Sequence, residues 1–144
     1  MKCVIQRVKK ASVQVKNTFI GTIDAGYLVY VGFHKDDQLQ HIAQYVEKMM
    51  KLRLFEDDLG KMNIPIDPTK HQIMLISQFT LYGDTKGTNR PSFSMSMPFE
   101  QAKKYYENMI EECNKYIKTI PGQFGEHMQI TSENDGPVTL ILEF

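Results

Sequence analysis

Two segments of the chain join a strand-like apolar pattern to small polar residues and glycine. The first covers residues 77–84, Ser-Gln-Phe-Thr-Leu-Tyr-Gly-Asp, and the second covers residues 134–139, Asn-Asp-Gly-Pro-Val-Thr. Hydroxyl and amide side chains are uncommon on a strand packed on both faces, unless they face a cleft. In the second segment, glycine permits unusual dihedral angles and proline removes a backbone donor. Both segments are therefore candidates for a binding or catalytic site.

The first segment offers two hydroxyl groups that could act as nucleophiles, those of Ser77 and Thr80. On a regular strand Ser77 and Phe79 would point to one face, and Gln78 and Thr80 to the other. All four could face one pocket only at a bulge or at the end of the strand. A nucleophilic hydroxyl also needs a neighbouring base, and no histidine or lysine lies in a motif that would supply one. Residue type alone favours a buried strand followed by a turn.

The second segment and residues 122–125, Gly-Gln-Phe-Gly, are each open to two interpretations. Asparagine, aspartate, glycine and proline are common turn formers, which favours a hairpin turn at residues 134–137. Alternatively, Gly136 and Pro137 present backbone carbonyls to a ligand. Residues 122–125 form either a loop that ends a helix or a platform that offers Phe124 for stacking on a base. Residue type alone favours the turn and the loop.

Composition predicts an ordinary soluble protein with a single domain over residues 1–144, since 42% of residues are hydrophobic and 24% are charged. The formal net charge is zero, so no overall field draws the chain to nucleic acid or membrane. An RNA partner would be held by a local basic patch or by one end only. Basic side chains of this kind are usually solvated surface charges, but they could equally line a path for phosphates; the candidates are Lys9, Lys10, Lys86 and Arg90. The N-terminus is too polar for a signal peptide, and no apolar run approaches the ~20 residues of a membrane span. We therefore expect a cytoplasmic protein without membrane contact.

Cysteine and histidine usage argues against metal chemistry. Cys3 and Cys113 are too few for a disulfide framework or a zinc site. The four histidines show no ligand spacing. We expect two reduced thiols, no metal and no cofactor.

The elements that would position these residues follow from periodicity. Residues 4–15, 19–23 and 27–33 predict three strands in an antiparallel meander. Apolar residues from Leu39 to Met50 recur at helical spacing after a cap at Asp36 or Asp37. Residues 72–81, apolar on both faces, predict a central strand.

The second half predicts another helix and two more strands. After a long loop at residues 83–98, apolar residues from Phe99 to Ile120 recur at helical spacing and predict a second amphipathic helix. Pro98 lies near its first turn, and Pro121 and Gly122 end it. Residues 128–132 and 138–144 predict the last two strands, joined by residues 133–137. The chain is predicted to have an α+β fold: a curled, barrel-like, mostly antiparallel sheet with two amphipathic helices.

From end to end the chain resembles the D-aminoacyl-tRNA deacylase family, also known as the D-tyrosyl-tRNA deacylase family. The matching motifs occur in order at residues 4–8, 11–13, 52–57, 60–63, 77–84, 90–93, 122–125, 128 and 134–139. The loop at residues 84–90 is less basic than is usual in the family, and Glu126 and His127 lie in a variable segment. The resemblance implies the family's fold and hydrolysis of the ester of D-aminoacyl-tRNA, which releases free D-amino acid and tRNA. It also implies a cofactor-free homodimer that binds the acceptor 3′ end of the tRNA.

The resemblance further implies roles for particular residues. Backbone N–H groups of Phe79 and Thr80 would donate hydrogen bonds to the oxyanion. The alternative is that the Thr80 side chain is the nucleophile, and the absence of a neighbouring base argues against it. Gly136 and Pro137, joined by a cis bond and held by Arg7, would form a chiral gate in the partner subunit's site. Their carbonyls would exclude an L side chain by a clash, and glycyl-tRNA could also be cleaved. The substrate would contact Ser77, Gln78, Phe79, Thr80, Phe124 and Met128.

Two other classes of function stay open on residue type. A module that only binds RNA ends would need stacking aromatic residues and a basic groove, but no oxyanion geometry. An esterase for small molecules with a serine or threonine nucleophile would need a base. A deacylation assay with D-aminoacyl-tRNA separates all three.

Overall fold

A computed structural model describes residues 1–143, which contain eight strands and two α-helices. Short 3-10 turns occur at Leu39–His41 and Phe79–Tyr82. The longer elements are β1 (Lys2–Val15), β2 (Thr18–Ile23), β3 (Gly26–Gly32), α1 (Ile42–Met50), β4 (Phe55–Glu56), β5 (Met62–Ile64), β6 (Gln72–Ser77), α2 (Phe99–Asn114), β7 (Thr119–Pro121) and β8 (Met128–Glu143). Among these residues no helix is both long and apolar enough to cross a membrane.

The long strand β1 organises the sheet. On β1, the antiparallel register that pairs Ala11 with Ile23 in β2 continues to pair Val8 with Gly26 in β3. Strands β2 and β3 are thus two parts of one partner of β1, and none of their described residues pair with each other. The predicted meander is wrong, because the two residues between β2 and β3 continue the chain in one direction instead of reversing it.

The sheet is mixed and mostly antiparallel, as predicted. Its order is β2-β1-β3-β6-β7, with β8 also paired to β1, and both pairings of β6 are parallel. Strand β6 is central, as its apolar pattern predicts. It ends at Ser77 and not at Leu81, because its neighbour β3 ends at Gly32 and the chain then turns into the 3-10 turn.

Both helices are present, but their ends differ from the predicted ones. No side chain caps α1; the Asp37 carboxylate instead accepts the His34 N–H at 2.7 Å and pairs with the Met1 amine. Helix α2 begins after Pro98, as predicted, but ends at Asn114 rather than Ile120. The Asn114 side chain accepts the Thr119 N–H at 3.1 Å, and residues 119–121 then form β7 beside β6.

The last strand is one element of 16 residues rather than two. The predicted turn at residues 133–137 is wrong: residues 133 and 134 stay paired with β1, residues 135–138 form a bulge inside β8, and pairing with β1 resumes at Thr139. The predicted strand end at Phe144 lies outside the described residues.

Two apolar clusters hold the fold together. The larger lies between the sheet and the helices, and the smaller lies on the other face of the sheet. Strand β3 contributes to both, since Tyr27 and Val29 face the first cluster and Leu28 the second, all with 0% exposure. Burial of both faces explains why β3 is continuously apolar.

Candidate active site

A cleft of about 600 Å³ opens at the carboxyl ends of the parallel strands β3 and β6. This edge of a parallel sheet is where ligands commonly bind, because the strands end there and the loops diverge. The cleft is lined by residues 31–33, 76–79, 93, 96, 97, 99, 102, 124–128 and 130. Five of the six predicted substrate-binding residues are in this lining: Ser77, Gln78, Phe79, Phe124 and Met128.

Thr80 is the predicted contact that does not line the cleft. Its hydroxyl oxygen accepts a hydrogen bond of 2.6 Å from the side-chain amide of Gln78. In residues 1–143, no histidine, lysine or carboxylate hydrogen-bonds the Thr80 hydroxyl. The Thr80 side chain therefore has an amide neighbour and no general base.

The backbone at Phe79 and Thr80 turns sharply at the cleft wall. The Leu81 N–H is the donor that closes the 3-10 turn, by bonding the Gln78 carbonyl at 3.3 Å. The N–H groups of Phe79 and Thr80 precede that donor, and donors in the first turn of a helix have no acceptor within the helix. The Ser96 hydroxyl fixes the turn by donating to the Phe79 carbonyl at 3.0 Å.

Aromatic rings form two walls of the cleft. On one side Phe79 meets Phe93 edge to face, with ring centroids 4.9 Å apart. On the other side Phe99 meets Phe124 in the same way, at 5.1 Å. Sequence reasoning identified Phe79 and Phe124 but missed Phe93 and Phe99. The signal for Phe99 was weak, because the first residue of an amphipathic helix is usually a core contact.

Two glycines let the second wall form. A Cβ atom at Gly122 would lie 2.7 Å from Met128 Sδ, and one at Gly125 would lie 2.9 Å from the Phe99 ring. Both distances are too short for a real contact, so side chains at these positions would displace Met128 or Phe99. The segment Gly-Gln-Phe-Gly follows β7, so the prediction that it ends a helix is wrong; its glycines allow the cleft wall to close around Phe124.

The cleft carries little charge. Glu126 and His127 are its ionisable lining residues among those the structure describes, and the Glu126 carboxylate pairs with the Lys16 amine at 3.0 Å. Across residues 1–143, no group of three histidine, cysteine or acidic side chains is placed to hold a metal ion. The arrangement therefore offers aromatic surface and backbone donors rather than a charged centre.

The predicted gate residues lie elsewhere in the same subunit. On β1, Gln6 pairs with Thr139 and Val8 pairs with Asn134, so residues 135–138 bulge opposite Arg7 alone. The Gly136–Pro137 peptide bond is cis, as the resemblance implies, and both residues are exposed. Neither residue lines the cleft of its own chain.

Arg7 contacts this bulge from the buried side. Its side chain is 5% exposed, and its Nε atom lies 3.1 Å from both the carbonyl oxygen and a carboxylate oxygen of Asp135. Its other nitrogen atoms bond the Leu54 carbonyl at 2.7 Å and the Glu56 carboxylate at 3.3 Å. Gly136 has φ +131°, and a Cβ there would lie 2.7 Å from the Val138 nitrogen. Glycine is thus the residue that the bulge requires at this position.

Comparison with known proteins gives consistent sequence matches. The family model described as D-Tyr-tRNA(Tyr) deacylase matches residues 4–143. A D-aminoacyl-tRNA deacylase from Thermosipho africanus is 46% identical over 99% of this chain and 97% of its own length. A protein of the same name from Clostridium perfringens is 42% identical with the same coverage.

Solved structures give the same fold. One described as c-Myc DNA Unwinding Element Binding Protein superposes with a TM-score of 0.92 at 37% identity, covering 100% of this chain and 99% of its own. A probable eukaryotic D-amino acid tRNA deacylase superposes with a TM-score of 0.83 at 16% identity, covering 98% and 97%, and shows the fold alone. Because a family model spans nearly the whole chain and full-length relatives exceed 40% identity, the chain belongs to the D-Tyr-tRNA(Tyr) deacylase family.

Proposed function

We propose that this protein hydrolyses the ester bond between a D-amino acid and the terminal ribose of a tRNA, which releases the free D-amino acid and the tRNA. The observation that carries the proposal is the aromatic cleft, in which Ser77, Gln78, Phe79, Phe124 and Met128 meet. These residues come from two segments far apart in sequence. A cleft of about 600 Å³ is large enough for an aminoacylated nucleoside.

In this proposal the two walls hold different parts of the substrate. Phe124 and Met128 flank the terminal adenine, since aromatic rings offer stacking surface for a base. Residues 77–80 hold the aminoacyl group at the opposite wall. The N–H groups of Phe79 and Thr80 stabilise the oxyanion that develops when the ester carbonyl is attacked.

The attacking group is proposed to be a water molecule that the ribose 2′-OH helps to position. The Gln78 amide donates a hydrogen bond to the Thr80 hydroxyl, and no base among the described residues hydrogen-bonds that hydroxyl. An ester is more reactive than an amide, so positioning and backbone dipoles supply the rate enhancement in this proposal. Covalent catalysis by Thr80 is the competing mechanism.

Selectivity for the D configuration is proposed to come from a second copy of the chain. Gly136 and Pro137 are exposed and do not line their own cleft, which supports a role in the partner subunit's site. Strand β8 pairs only with β1 among the described residues, and long unpaired edges invite association. Ile141 on this strand is 62% exposed. In the homodimer, the carbonyls of Gly136 and Pro137 would occupy the space that an L side chain needs.

The test is a single-turnover deacylation assay with one tRNA charged with the D- and L-forms of the same amino acid. Cleavage of the D-form, with the L-form hydrolysed no faster than in buffer alone, is the expected result. Binding of uncharged and charged tRNA without cleavage of either would instead indicate a module for RNA ends. Cleavage of simple esters with no preference for tRNA would indicate a general esterase.

A further inference from the structure

The bulge at residues 135–138 is held by a chain of contacts that begins in a different element, the short β4–β5 hairpin. We infer that Glu56, at the end of β4, is a positioning residue for the proposed gate: it fixes the guanidinium of Arg7, which in turn fixes the bulge. The consequence for stereoselectivity rests on the proposed function. The structural part of the inference, that Glu56 holds the bulge, does not.

The hydrogen bonds of Arg7 divide into two sets. The Nε atom faces the bulge, at 3.1 Å from the Asp135 carbonyl oxygen. The two terminal nitrogens face the hairpin, where Leu54 O and Glu56 Oε1 accept at 2.7 and 3.3 Å. A guanidinium is planar, so fixing both terminal nitrogens also fixes the direction of the Nε–H bond. The hairpin thereby determines the direction of the Arg7 Nε–H that bonds the bulge.

The charges around Arg7 also support a positioning role for Glu56. Arg7 is nearly buried, with 5% of its side chain exposed, and a buried cation needs carboxylate partners. The structure gives it two, Glu56 and Asp135. If the Glu56 carboxylate were lost, Asp135 would be the remaining charge partner, and the guanidinium could shift toward the bulge.

Aromatic stacking attaches the hairpin to the sheet. The ring of Phe55, next to Glu56, stacks between Tyr27 at 5.4 Å and His71 at 3.9 Å, and the ring planes are within 17° of parallel in both pairs. Tyr27 is fully buried in β3. The position of Glu56 is therefore tied to the core of the sheet rather than to an exposed loop.

The experiment compares Glu56→Gln and Glu56→Ala with Glu133→Gln and Glu133→Ala. Glu133 is a matched control because it also lies beside the bulge, on β8, and its partner Lys9 is an exposed lysine 3.9 Å away. Two readouts are measured on the full chain. One is amide hydrogen exchange at Gly136 and Val138, and the other is the ratio of single-turnover rates for D- and L-aminoacyl-tRNA. Thermal unfolding of each variant checks that the fold is intact.

We expect both Glu56 variants to speed exchange at the bulge and to lower the D-to-L ratio by roughly two- to fivefold, the range typical of an ion pair with one exposed partner. The Glu133 variants should change neither readout. Exchange at the bulge equal to that of the Glu133 variants would overturn the inference. Faster exchange with an unchanged ratio would overturn the role in selectivity. A wild-type protein without D preference would overturn the proposed function, and the exchange measurement would still decide the role of Glu56.

Discussion

The side-chain amide of Gln78 donates a hydrogen bond of 2.6 Å to the hydroxyl oxygen of Thr80. This contact takes one of the two lone pairs of the hydroxyl oxygen, and the amide that makes it is not a base. We therefore predict that Thr80→Ala retains most of the deacylation rate, because the backbone N–H at residue 80 is unchanged. Single-turnover deacylation of D-aminoacyl-tRNA measures the effect, with Thr80→Ser as the variant that keeps the hydroxyl.

The opposite result has a clear meaning. A general base alone typically contributes ~10²–10⁴-fold, so removal of a true nucleophile should cost at least that much. A loss of this size in Thr80→Ala, with activity kept in Thr80→Ser and the fold intact, would establish covalent catalysis.

Gly136→Ala is predicted to destabilise the protein more than Gly87→Ala does. Both glycines have positive φ, at +131° and +73°, but a Cβ at Gly87 would meet no atom within 4 Å, whereas one at Gly136 would lie 2.7 Å from the Val138 nitrogen. Gly87→Ala should cost about 1–2 kcal/mol from backbone strain alone, and Gly136→Ala should cost more. Urea denaturation at one fixed protein concentration compares them, and equal losses would contradict the close packing described for the bulge.

Both cysteine thiols are predicted to be unreactive in the folded protein. Cys3 and Cys113 are fully buried, and burial raises the pKa of each from 9.0 to about 12. In the unfolded chain the thiols lose their protons near pH 9, whereas in the folded chain they keep them. The contribution of the thiols to stability is therefore complete below pH 9 and is lost as pH rises from 9 to about 12.

Two measurements check the thiols. A thiol reagent at pH 8 should label neither cysteine in native protein and both in urea. The free energy of unfolding should fall as pH rises above 9. Rapid labelling of the native protein would show that one of the two sites opens frequently.

Much of the fold could be predicted because its signals are local. The length of β1, the central position of β6 and the amphipathic faces of both helices follow from periodicity in the sequence. The pairing of β2 and β3 with one strand does not, since it depends on whether two residues at 24–25 reverse the chain or continue it. Turn-forming residues predict a break in the strand but do not give its direction.

The candidate site also depends on contacts between distant residues that local sequence patterns do not predict. Asparagine, aspartate, glycine and proline at residues 134–137 are typical of a hairpin turn, yet the structure forms a bulge because Arg7 binds Asp135 from the neighbouring strand. That contact joins residues 128 positions apart. Likewise, Phe93 lies in a loop and Phe99 at the start of a helix. Hydrophobic periodicity does not predict that either segment packs next to β6.

Phe124→Leu is predicted to raise KM for charged tRNA without a large change in kcat, the rate at which bound substrate is deacylated. Stacking of a base on an aromatic ring is worth about 1–3 kcal/mol, and leucine keeps most of the volume that packs against Tyr106, whose ring centroid lies 5.6 Å away. Phe19→Leu is the matched control, because Phe19 is 59% exposed on β2 and does not line the cleft. A KM equal to that of the control would place the adenine elsewhere.

The stereoselectivity of the enzyme is predicted to come from exclusion of the L side chain and not from recognition of the D side chain. The cleft has few charged lining residues and two aromatic walls. Such a surface accommodates many different side chains rather than one. If carbonyls from a partner's Gly136 and Pro137 block one direction, D-amino acids of different size should all be cleaved. Glycine has no side chain to exclude, so glycyl-tRNA should be cleaved to a measurable degree. One tRNA charged with glycine and with both forms of several amino acids tests this in single-turnover assays. Cleavage of a single D-amino acid, or refusal of glycine as complete as refusal of the L-forms, would mean that the pocket reads the side chain itself.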